Sequence, residues 1–148
     1  MKTLLMTLVT VGGVLYGAGC GNPDQTPEKL CEMLVDCGTA SDQDTCLGSV
    51  GSLVLSEDCL DEMFAASCEE HNADVPPYIT TCFDGCTTAG SRCLGDYLYV
   101  CNGTIEMVGD CNRICRYQLD ARYSNVCGTA GPNGEVSDSG AVCWCLID

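Results

Sequence analysis

Positive charge is the scarcest resource in this sequence: 6 Lys and Arg stand against 21 Asp and Glu, a formal net charge of −15. So acidic a chain repels nucleic acid and anionic headgroups alike, which removes nucleic-acid binding from the expected functions. Histidine is limited to one residue, His71, so a catalytic triad or an imidazole-based zinc site has a single candidate. His71 lies in the acidic stretch Glu69-Glu70-His71, where it reads as a surface histidine at a helix C-terminus favoured by the dipole. No pair of cysteines has C-x2-C spacing, which disfavours zinc ribbons and thioredoxin-like redox sites. The acids of Asp42-Gln43-Asp44 and Asp58 to Glu62 lack the glycine and distal glutamate of a calcium loop, and read as helix caps. No cofactor, metal or catalytic residue is expected. A hydrolase built on unannounced carboxylates is the least favoured function.

Cysteine, by contrast, is abundant: 15 of 148 residues. At this density the thiols belong in an oxidising compartment, where they persist as disulfides. The N-terminus agrees. Lys2 precedes the uncharged, mostly apolar run from Thr3 to Ala18, which ends in small residues before Cys20. The run, roughly 16 residues, is shorter than a membrane-spanning helix needs, and it reads as a signal peptide over residues 1–19. Gly17-Ala18-Gly19-Cys20 resembles the lipobox of bacterial lipoproteins. That resemblance implies a lipid-modified, fatty-acylated Cys20, a membrane anchor in the cell envelope and, with Gly21 next, carriage to the outer membrane, on its periplasmic or outer face. Small residues at Gly17 and Gly19 also suit the ordinary signal peptidase. Parity favours lipidation, because removing Cys20 leaves an even set of cysteines.

After a tether over residues 20–27, two cysteine modules are expected. Residues 28–84 carry most of the acid and six cysteines (Cys31, Cys37, Cys46, Cys59, Cys68 and Cys82); residues 85–148 carry eight (Cys86, Cys93, Cys101, Cys111, Cys115, Cys127, Cys143 and Cys145). The fold class is thus small and disulfide-rich, a stapled helical module followed by an α+β module. In the first, Thr26 caps a helix with Pro27 in its first turn, Leu30, Leu34 and Cys37 on one side, and Gly38 at its end. Ser41 and Asp42 open a second helix through Leu55, weakened by Gly48 and Gly51. Ser56-Glu57-Asp58 opens a third, with Leu60, Met63, Phe64 and Ser67 on its buried face. One local bridge is expected here, Cys37 with Cys46.

In the second module Tyr97, Tyr99 and Cys101 alternate with Leu98 and Val100. Asn102-Gly103 marks a hairpin whose return strand runs from Thr104 to Val108. Asp110 caps a helix containing Cys111 and Cys115, and Ala141 to Ile147 reads as a strand containing Cys143-Trp144-Cys145. Helical residues four apart lie about 6 Å apart along the axis, and strand residues two apart about 6.7 Å, so two parallel bridges can join them. The arrangement resembles the cysteine-stabilised αβ fold of scorpion toxins and defensins. That resemblance, over roughly residues 97–147, implies Cys111–Cys143, Cys115–Cys145 and Cys101–Cys127, and leaves Cys86 with Cys93; Asn125 stands where the family has glycine. The whole chain resembles the small cysteine-rich lipoproteins of myxobacteria, in which the spacing Cys93-Leu94-Gly95 and Cys101-Asn102-Gly103 recurs.

On the terminal strand Val142, Trp144 and Leu146 point away from the bridge cysteines, with Leu98 and Val100 as expected neighbours. This face is the candidate binding surface for a protein or glycan partner, unless the first module or the long loop after Gly128 covers it. The expected function is a non-enzymatic, lipid-anchored scaffold for binding or structure. A toxin-, inhibitor- or effector-like module is the alternative.

Overall fold

The computed structural model describes residues 24–147, so the expected signal peptide and Cys20 lie outside the described residues. The protein is a small disulfide-rich fold of short helices and two small antiparallel sheets. Seven disulfides use every cysteine from Cys31 to Cys145. No helix among the described residues is long and apolar enough to cross a membrane.

The helical half begins with α1, Pro27–Asp36. The Thr26 hydroxyl accepts from the Lys29 N–H, while Gly38, at φ +70°, lets the last carbonyls bond to the N–H groups of Gly38 and Thr39. Leu30, Cys31 and Leu34 are buried against a core that also holds Cys46, Cys59, Met63 and Tyr78. Asp42 caps α2 (Gln43–Cys46) through Thr45, and the chain then widens into a π-turn over Leu47–Gly51. The helix therefore ends at Gly51 and does not reach Leu55. A Cβ at Gly51 would meet Leu47 Cδ2 at 2.9 Å and Pro27 at 3.6 Å, so a side chain there would have to displace the Leu47 methyl. Ser56 caps α3 (Glu57–Ala65), which buries Cys59 and Met63. Ser67 is exposed rather than part of that buried face. It caps α4 (Cys68–His71) in a reciprocal box with Glu70, whose side chain accepts from the Ser67 N–H at 2.7 Å. A short α5, Ile79–Cys82, follows the Pro76-Pro77 loop.

The second half holds a four-stranded sheet ordered β1-β4-β3-β2, made of β1 (Asp84–Gly85), β2 (Gly90–Leu94), β3 (Tyr97–Cys101) and β4 (Ile105–Asp110). The β3–β4 connection is a hairpin at Asn102-Gly103, but Cys101 faces Glu106 across four intervening residues, more than a two-residue turn contains. The Asn102 carboxamide closes that loop by accepting from the N–H groups of Thr104 and Ile105 at 2.9 and 3.0 Å. Asp110 caps α6, Cys111–Leu119, which packs on a two-stranded sheet of β5 (Arg122–Gly128) and β6 (Val142–Leu146). At Asn125 the chain takes φ +62° and the register shifts between Tyr123 and Val126, so asparagine fills a left-handed position that it adopts more readily than most side chains.

No bridge crosses from one half to the other: the first three lie within residues 31–82 and the last four within 86–145. The halves are joined without sulfur. Residues 52–54 run along the free edge of β4 beyond β1, with Leu53 bridged to Gly109, Val54 N–H donating to Val108 O at 2.7 Å, and Asp110 N–H to Ser52 O at 3.0 Å. Helix α6 adds side chains to this seam. Arg113 Nη1 donates to Leu53 O at 3.0 Å, Gln118 Nε2 to Gly48 O at 2.6 Å, and Tyr117 Oη to Glu28 Oε1 at 2.8 Å.

The bridge partners depart from expectation in three places. Cys46 pairs with Cys31, not Cys37, because Cys31 lies on the buried side of α1 facing the end of α2. Cys37, at the exposed end of α1, pairs with Cys68 at the start of α4, where Asn72 Nδ2 also donates to Cys37 O at 3.0 Å. In the sheet half Cys101–Cys127 and Cys86–Cys93 are replaced by Cys86–Cys101 and Cys93–Cys127. Strand β2 explains both. It lies on the β3 edge nearest the second sheet, so Cys93 reaches Cys127, while the pairing of Gly85 with Ile105 and Cys86 N–H with Thr104 O brings Cys86 beside Cys101. The remaining bridges are Cys111–Cys143, Cys115–Cys145 and Cys59–Cys82.

Candidate functional site

The sulfur chemistry of the sheet half is concentrated where α6 meets β5 and β6. Cys111 and Cys115 are fully buried, one helical turn apart, and reach Cys143 and Cys145 on one face of β6. Cys127 stands opposite Cys143 in the ladder, and the sulfurs of Cys111, Cys127 and Cys143 lie within 4.8 Å of one another. That spacing would suit a metal if the groups were thiolates. All three are in disulfides and have no thiolate to offer, so the cluster is a covalent core.

The candidate binding face on β6 is covered at its centre. Trp144 Nε1 donates to Gly128 O at 3.1 Å, and the loop of residues 129–140 folds over the indole, so closely that a Cβ at Gly131 would meet the ring at 2.9 Å. Trp144 and Val142 are half-buried, and only Leu146 and Ile147 remain exposed. The loop holds this shape through Gly131 N–H to Glu135 O, Ser137 N–H to Thr129 O, and the Asn133–Glu135 contacts. Trp144 is therefore half-buried, packed beneath this loop. Leu98 and Val100 do not adjoin it; they face Leu53, Ile114 and Ser52 on the α6 side of the larger sheet.

His71 does end α4, but it is not a surface histidine: it is 3% exposed, and its Nδ1 pairs with Tyr78 Oη at 2.8 Å. The Pro76-Pro77 loop turns the chain back so that the tyrosine covers the imidazole, which the acidic composition of the segment did not disclose. His71 Nε2 is buried with no hydrogen-bond partner among the described residues.

Carboxylates with resolved shifts all lie below the ordinary range. Asp42 is lowered by the Thr45 N–H and Glu70 by the Ser67 N–H, both in helix caps; Glu135 is lowered by hydrogen bonds within its turn, and Glu28 by Tyr117. A carboxyl acting as a general acid needs the opposite shift. Burial pushes Tyr123 up to about 12, with Asp96 and Asp110 adding to it; its hydroxyl faces Asp96 without reaching good hydrogen-bond geometry. Asp42 and Glu70 cap helices, Glu135 closes a turn, Tyr123 packs in the core, and Glu28 accepts from Tyr117 across the two halves.

No family model matches this chain, and neither a curated protein nor a solved structure matches it.

Proposed function

We propose that the protein is a lipid-anchored cell-envelope protein whose role is to present a rigid disulfide scaffold, without catalysis of its own. The observation that carries this reading is the use of cysteine. Fourteen of the 15 cysteines bond to one another, which leaves Cys20, at the end of the signal-like run, as the one cysteine without a partner in the chain. An exported protein with an odd cysteine either exposes a reactive thiol or caps it, and acylation caps it while supplying an anchor. Dense cross-linking within each half, with the halves fused along residues 52–54 and α6, supports the scaffold part.

Labelling cells with a traceable fatty acid tests the anchor: the wild type takes up label and partitions with membranes, and Cys20→Ser does neither. A soluble, unlabelled wild type would overturn the reading. Acidity argues against the toxin-like alternative in its membrane-attacking form, since attraction to anionic lipid needs net positive charge and the chain carries −15.

A further inference from the structure

The seam between the halves contains a cavity of about 110 Å³. Leu30 of α1, Val50 of the π-turn, Leu53, Leu55 and Leu60 line it, together with Gln25. Arg113 of α6 contributes the only charged side chain among the described lining residues. Its position is fixed from two sides, by the backbone cap to Asp110 Oδ1 and by Nη1 on Leu53 O. The Leu53 contact uses one of the five N–H donors of a guanidinium, so the group that lines the cavity retains donors for an anion.

A held guanidinium beside aliphatic side chains favours a ligand with both features. Water satisfies the cation but gains nothing from five aliphatic side chains, and a hydrocarbon leaves the cation unpaired. A carboxylate on a short aliphatic tail answers both, with the acid on Arg113 and the tail in the cavity. Size sets the tail. An apolar cavity of roughly 150 Å³ holds six-carbon benzene, so 110 Å³ takes four or five carbons. Arg113 lies in the first turn of the nine-residue helix α6, where the Asp110 carboxylate caps the helix by accepting from the Arg113 backbone N–H at 3.1 Å.

We propose that this cavity is a binding site for a short aliphatic carboxylate, held by Arg113 of α6 and the leucine-lined wall of the helical half. The site goes beyond the scaffold role and does not depend on lipidation, so the two can fail separately.

The test uses the full-length chain carrying Cys20→Ser, oxidised and free of detergent, with 4-methylpentanoate as the probe in a methyl-detected NMR titration. The expected result is a saturable shift of the Leu30, Val50 and Leu60 methyls, with 4-methylpentanamide and acetate each at least about tenfold weaker because each lacks one of the two features. Arg113→Gln abolishes the preference for acid over amide. Val50→Phe, which fills the cavity and leaves Arg113 in place, abolishes binding of both; each variant is first checked for all seven bridges. Equal binding of acid and amide, shifts scattered over the surface, or unchanged binding in Arg113→Gln overturns the proposal. Tighter binding of N-acetyl-leucine than of 4-methylpentanoate also overturns it, in favour of a peptide C-terminus.

Discussion

Tyr117 on α6 donates its hydroxyl to Glu28 on α1 at 2.8 Å, a contact spanning 89 residues of sequence and joining the two disulfide-linked halves. The bond holds the Glu28 carboxyl below its usual range, while burial, followed by the Glu28 bond, pushes the Tyr117 phenol up. A lowered carboxyl contributes stability above its unfolded value, which is lost as pH falls through the folded one. A raised phenol contributes stability below its unfolded value, which is lost as pH rises through the folded one. Tyr117→Phe should therefore cost most between about pH 5 and pH 9. Because Glu28 is exposed, the loss should stay under about 1 kcal/mol after solvent screening. Denaturant melts of both proteins across pH measure it, and a difference that does not shrink at the two extremes contradicts the coupling.

Burial of His71 makes Tyr78 structurally demanding. Tyr78→Phe keeps the ring packing and leaves His71 Nδ1 without its partner, so the helical half should lose about 1–3 kcal/mol. Thermal melts of the oxidised protein check this. A loss within error of zero would place the imidazole in contact with solvent.

Asn125 occupies left-handed backbone at the bulge in β5. Asn125→Ala should destabilise by about 1–2 kcal/mol, because alanine enters left-handed backbone less readily than asparagine. Asn125→Gly should retain wild-type stability or exceed it. If alanine and glycine behave alike in equilibrium unfolding, the positive φ is not the reason for asparagine.

Where the determinant is local, the sequence is legible. Thr26, Asp42, Ser56 and Asp110 each cap the helix that their side-chain chemistry predicts, and Asn102-Gly103 turns a hairpin. The C-x3-C and C-x-C spacings reflect the periods of a helix and a strand, and two bridges join them. Partner choice elsewhere depends on tertiary placement. Strand β2 has glycine, serine and arginine at its start and shows no apolar alternation, so nothing local places Cys93 beside Cys127. Likewise Leu53 and Val54 give no sign that they extend the edge of β4, which is what unites the halves and creates the cavity beside Arg113. The lid over Trp144 comes from a loop whose shape rests on the contacts of Glu135, which composition does not encode.

Double replacement probes the αβ core. Cys111→Ala or Cys143→Ala should each cost about 2–4 kcal/mol through loss of one buried bridge. The double variant should match the worse single one to within about 0.5 kcal/mol, since the same bond is already gone. Summed losses would mean that the two cysteines serve different bridges.

Thiol counting by intact mass tests the central claim most directly, because the bridges and the anchor both follow from how 15 cysteines are used. Protein extracted from membranes, denatured and alkylated without reduction should take up no label. Reduction should then expose 14 sites, two for each of the seven bridges, and the unalkylated Cys20 should carry the extra mass of a diacylglyceryl group. One alkylated cysteine before reduction, mapping to Cys20 and without lipid mass, would contradict the account.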